Sequence, residues 1–128
     1  MWFDEQMHSV WEKGFHPAIE AAGYRPRRID RKEHVNKICD EIIAEIRRSR
    51  FVVADFSGQR GGVYYEAGYA SGRDIPVIWT CREDDFEKVH FDIRQYNSIV
   101  WVTPEELAQR LQVRIEAVIG DGPLKLRV

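Results

Sequence analysis

Phe51-Val52-Val53-Ala54-Asp55 is an apolar run without alternation, closed by a single acid. A strand of that composition is buried on both faces, as in a parallel sheet covered by helices. Similar runs recur at Ile75–Thr80 and Ser98–Val102. The stretches between the runs carry helical periodicity. Upstream, Ile38, Ile42, Ile43 and Ile46 mark an amphipathic helix from Asn36 to about Arg48, with Asp40 and Glu41 near its start and Arg47 and Arg48 at its end, as the helix dipole favours. Downstream, a Gly-rich loop from Ser57 to Gly62 leads into a helix from about Val63 to Ser71, which Gly72 ends. Thr103 and Glu106 form a capping-box pattern opening a last helix that runs to about Ile119.

Alternation of strand and helix predicts an α/β fold: three layers, α/β/α, around a doubly wound parallel sheet of flavodoxin-like order. Further toward the start, Val10, Trp11, Phe15, Ile19 and Ala22 recur at helical steps and Gly23 stops them; Pro17 inside this run predicts a kink or break. Tyr24–Ile29 reads as a short extended segment, with Pro26 restricting it to an edge strand. Only Met1-Trp2-Phe3 precedes the first helix, so the central first strand of such a fold reads as truncated, and a second copy of the chain is expected to cover the gap as a homo-oligomer, a dimer.

The 128 residues fit one domain with one core. Hydrophobic residues at 44% and charged ones at 31% are those of a globular chain rather than a disordered one. A net charge of −2 gives no reason to expect nucleic acid or an anionic membrane as partner. The basic residues Arg25, Arg27, Arg28, Arg31 and Lys32 alternate with Asp30 and Glu33, as on a solvated surface. No apolar run reaches the roughly 20 residues of a membrane span. Cys39 and Cys81 are far apart and outside any CxxC or HxxxH pattern, so free thiols, a cytoplasmic location and no bound metal are expected.

Ligands of open parallel sheets bind beyond the carboxyl ends of the strands. Asp55 lies at such an end. The loop after it, Phe56-Ser57-Gly58-Gln59-Arg60-Gly61-Gly62, has three glycines that let backbone N–H groups approach a ligand and delivers the chain into a helix N-terminus, which favours an anion. Glu66 falls in the first turn of that helix, so Asp55 and Glu66 are expected to face one crevice, one exchanging protons and the other attacking or stabilising a cation. The plainer alternative is that Asp55 caps the loop and Glu66 suits the helix dipole. Tyr64 and Tyr65 either line the crevice or, for one of them, pack into the core. Asp92 either reaches a ligand hydroxyl or pins its own loop, and His90 is a proton shuttle or an ordinary surface histidine.

Asp55, the glycine loop, Val63-Tyr64-Tyr65-Glu66-Ala67-Gly68-Tyr69-Ala70 and Ile75-Pro76-Val77-Ile78 together resemble the nucleoside 2-deoxyribosyltransferase-like superfamily, which includes nucleotide N-glycoside hydrolases and is related to TIR-like domains. The resemblance implies a nucleoside or nucleotide ligand without a further cofactor, and a single such domain over residues 1–128. Glu66 matches the glutamate that attacks the anomeric carbon, and Asp55 an acidic position at the end of a strand. Phe3 matches an aromatic residue beside the base, and Ser57, Gly58, Arg60, Gly61, Gly62, Tyr65 and Asp92 fall where such a ligand would be held. The chain departs from the pattern at Arg50 and Arg60, where the family often has aspartates. Loss of those acids counts against deoxyribosyl transfer, Arg60 beside the glycine loop favours a phosphate-bearing ligand, and hydrolysis is expected over transfer because the sequence offers no obvious second base site. A TIR-like NAD hydrolase and a non-catalytic nucleotide-sensing module are the rival readings.

Overall fold

The structure, a computed structural model, describes residues 5–29, 40–57, 61–86 and 97–125. Two compact units make up the chain, one within Ile29–Val100 and the other formed by Asp4–Arg28 with Trp101–Val128. Among the described residues the protein is a mixed α/β chain with a three-stranded sheet in the order β1-β2-β3: β1 is Val52–Asp55, β2 Val77–Arg82 and β3 Ile99–Trp101. β1 and β2 run parallel, with Val52 opposite Val77 and Asp55 opposite Thr80. No helix among the described residues is long and apolar enough to cross a membrane.

In the first unit, α3 (Asp40–Arg47) precedes β1, and α4 (Gly61–Gly72) connects β1 to β2. The helix–sheet contact splits into two apolar clusters. Toward the carboxyl ends of the strands, Ala54, Phe56 and Cys81 pack under Val63 and Ala67, with half-buried Tyr64 and Trp79 against them. Toward the other end, Ala70 meets Ile42 and Ile46 of α3, with Val52, Ile75 and Val77 alongside. A short helix, α5 (Glu83–Phe86), follows β2 directly.

β2 starts two residues later than the apolar run suggests and ends two residues beyond it. Pro76 has no N–H to donate, and it enters the ladder only through its carbonyl, which accepts from Val52 N–H at 2.9 Å. At the far end, Phe56 N–H donates to the Thr80 carbonyl at 2.9 Å and Arg82 N–H to Ser57 Oγ at 2.8 Å, which carries the pairing to Arg82.

In the second unit, α1 (Glu5–Val10) continues through a π-helical turn, Trp11–Phe15, into α2 (His16–Ala21). His16 N–H reaches back to the Trp11 carbonyl, the wide turn that places Pro17 at the start of α2, where a missing N–H costs nothing. The expected break at Pro17 is therefore a local widening of one helical rod. Gly14 lies in this turn. A Cβ there would come within 3.0 Å of Leu107 Cδ2 and 3.1 Å of the Pro104 carbonyl, so its hydrogen admits α6 (Pro104–Val118) closely. Thr103 caps α6, accepting from Glu106 N–H at 3.1 Å, while Glu106 Oε1 accepts from Val102 N–H at 3.3 Å. This is the predicted capping box, with the returning contact one residue further out.

Tyr24–Ile29 is not a strand. It carries no regular secondary structure and lies outside the sheet; Tyr24 N–H donates to the Ile19 carbonyl and its hydroxyl to the Gly120 carbonyl at 2.7 Å. Neighbouring backbone meets the segment after α6, where Gly122 N–H donates to Ala22 and Leu124 N–H to Gly23.

Candidate functional site

Four residues at the carboxyl ends of β1 and β2 share one hydrogen-bonded network. Asp55 is buried, and both of its carboxylate oxygens are engaged: Oδ1 accepts from Ser57 N–H at 3.0 Å and Oδ2 from the Thr80 hydroxyl at 2.6 Å. Ser57, also buried, accepts from Arg82 N–H. The short reach from Asp55 to the backbone two residues on turns the chain sharply out of β1. Thr80 ties that turn to the neighbouring strand. Asp55 thus does what its plainer reading proposed and caps the end of its strand.

Side chains alternate along a strand, so register decides which face each occupies. Ala54 lies opposite Trp79, and Ala54 packs beneath α4 with Cys81 while Trp79 lies against that cluster. Asp55 lies opposite Thr80 and bonds to it, which places both on the face away from α4. Glu66 belongs to α4 itself, on the stripe Val63, Glu66, Ala67, Ala70, all buried. Alternation thus puts Asp55 on the face of β1 away from α4, the helix that carries Glu66.

Glu66 is 5% exposed, deep for a glutamate. Because α4 begins at Gly61 rather than Val63, Glu66 lies in the second turn, too far in to serve chiefly as a partner of the helix N-terminus. Gly61 and Gly62 open α4 instead of ending the loop. The two tyrosines part company. Tyr64 packs on Phe56, ring centroids 4.6 Å apart, and Phe56 stacks on Trp79 at 5.1 Å, whereas Tyr65 is exposed. Phe3, Gly58, Arg60, His90, Asp92 and Cys39 lie outside the described residues.

Burial, reinforced by the carboxylates of Asp55 and Asp85 and opposed by Arg82, pushes the Cys81 thiol up to about 12. That thiol is a core group and not a nucleophile at neutral pH. Among the described residues no three His, Cys, Asp or Glu side chains gather as metal ligands would. Thr80 and Arg82 are the members of this constellation that sequence reasoning missed. Only the strand register, which sets residues 25 apart side by side, brings them to Asp55 and Ser57.

Comparison with protein-family models, with curated proteins and with solved structures finds no significant match to this chain.

Proposed function

We propose that the protein is a nucleotide-binding enzyme that cleaves, or transfers at, the N-glycosidic bond of a (deoxy)nucleoside or nucleotide, with Glu66 acting at the anomeric carbon. The described sheet is then the part of a doubly wound, three-layer α/β/α fold that carries the site. The single observation behind the reading is the burial of Glu66 in an otherwise apolar stripe of α4, the helix that follows β1. An oxocarbenium-like transition state calls for a carboxylate at short range, as nucleophile or as electrostatic partner. The resemblance of the stretch from Val63 to Ala70 to deoxyribosyltransferase-like proteins gives the same role to the same residue. Asp55 acts on the site indirectly, by fixing the turn that begins the ligand loop. Hydrolysis is preferred over transfer because the sequence offers no obvious second base site.

The test incubates purified protein with a panel of deoxynucleotides, ribonucleotides and NAD and measures free base. Base released from at least one nucleoside or nucleotide is expected, and Glu66→Gln lowers turnover by roughly 10²-fold or more while the protein keeps its melting temperature. Release from NAD alone would favour the TIR-like hydrolase. Binding without any release would leave a nucleotide-sensing module, and neither binding nor release would contradict the proposal.

A further inference from the structure

At the amino end of β2, the end away from the Asp55 network, the first unit opens into a cleft of about 410 Å³ lined by Ser71, Asp74, Ile75, Pro76, Val77 and Trp79. Ile75, Pro76, Val77 and Trp79 supply an apolar wall, and the Trp79 ring is held by stacking on Phe56. Ser71 and Asp74, both exposed, supply a hydroxyl and a carboxylate. Both belong to the end of α4, where Asp74 N–H donates to the Ser71 carbonyl at 3.0 Å and Ile75 N–H to the Ala70 carbonyl at 2.9 Å. Asp74 holds φ at +60° in this turn. Glycine, or sometimes asparagine, usually fills such a place, because the left-handed conformation strains a side chain. The negative end of the helix dipole also disfavours a carboxylate there. Nothing in the fold offsets these costs: among the described residues no side chain pairs with Asp74, its neighbour Arg73 included. A local preference broken twice at one residue, on the rim of an open cleft, calls for a functional account.

We propose that this cleft binds a small organic amine in its protonated form. The Asp74 carboxylate and the Ser71 hydroxyl hold the ammonium, and the apolar part of the amine lies on the wall from Ile75 to Trp79. Charge decides the ligand class. The carboxylate and the carbonyl end of α4 both attract a cation and repel phosphates and carboxylates. The indole adds to the same preference, since an aromatic face attracts a cation through its quadrupole. Arg73 is exposed and unpaired with Asp74, so water screens it and the attraction is not cancelled. One charged group beside a broad apolar wall matches an amphiphilic ligand, whose body leaves water as its head is paired. Amine binding here is independent of N-glycosidic cleavage and of the Glu66 carboxylate.

Titration of 15N-labelled protein with phenethylamine and butylamine, against phenethyl alcohol and hydrocinnamate as neutral and anionic counterparts, is the experiment. The amines should shift the Trp79 indole and the Ser71, Asp74 and Ile75 amide resonances saturably. They should bind about tenfold or more tightly than the alcohol or the acid. Asp74→Asn removes the charge and keeps a residue that tolerates the turn, and Asp74→Gly also relieves the backbone. Both variants should bind the amines about tenfold or more weakly, with urea midpoints equal to or above that of the wild type. Lost binding paired with kept or raised stability separates a ligand-holding carboxylate from a structural one. Amine affinity unchanged in Asp74→Asn, alcohol bound as tightly as amine, no saturable shift at the cleft residues, or lower urea midpoints in both variants would overturn the assignment. The ligand comparison in the wild type decides the matter even where a variant fails to fold.

Discussion

At the carboxyl ends of β1 and β2 the chain buries polar side chains, while at the turn after α2 it buries bare backbone. The first region closes through Asp55, Ser57, Thr80 and Arg82, each hydrogen-bonded to another across two strands. The second closes through Gly23 and Gly122, whose main chains come so near that a Cβ on Gly122 would collide with the Gly23 carbonyl. Gly23 also holds φ at +98°, a conformation that side chains resist. Backbone closure of this kind leaves no functional group to spare and reads as architecture. Side-chain closure costs desolvation and is where chemistry is to be sought.

The contrast is sharpest under substitution. Gly122→Ala should have the largest effect, because the obstacle is main chain that cannot rotate away: a loss of about 3 kcal/mol or more in urea unfolding, or no folded protein. A variant as stable as the wild type would mean that the two segments do not meet as described. Thr80→Val comes next. It keeps the side chain's shape but removes the hydroxyl from a buried carboxylate oxygen, and should cost roughly 1.5–3 kcal/mol, the worth of a hydrogen bond to a charged group. A neutral result would show that Asp55 is held by its own turn alone and that the strand ends are not tied through Thr80.

Cys81 gives the smallest effect, nil at neutral pH. Its folded-state value lies above the ordinary thiol value. Below the ordinary value both folded and unfolded chains keep the proton, and the contribution to stability is whole. Between the ordinary value and about 12 the unfolded chain gives up its proton first, so stability falls as pH rises. Urea midpoints from pH 7 to 10 should therefore decline more steeply for the wild type than for Cys81→Ala. Parallel curves would mean that the thiol is not buried beside Asp55 and Asp85.

Much of the fold was legible because it rests on local signals. Unbroken apolar runs named β1, β2 and β3 to within two residues; Thr103, Pro104 and Glu106 announced α6. Tyr24–Ile29 misled because nothing in its sequence separates a strand at a sheet edge from a segment that stays outside the sheet. Of the site, Asp55 and Glu66 stood out by type and position. The face that Asp55 takes did not, since a shift of one residue in register reverses every side chain, and no local pattern sets that register. Thr80 and Arg82 were hidden for the same reason.

Free base measured after incubating the nucleotide panel with wild type and Glu66→Gln, alongside Asp55→Asn, tests the central claim most directly. The account predicts release by the wild type and a fall of roughly 10²-fold or more in Glu66→Gln at unchanged melting temperature. It predicts that Asp55→Asn lowers the melting temperature, because that carboxylate holds the strand ends. Base release that persists undiminished in a folded Glu66→Gln protein would contradict it.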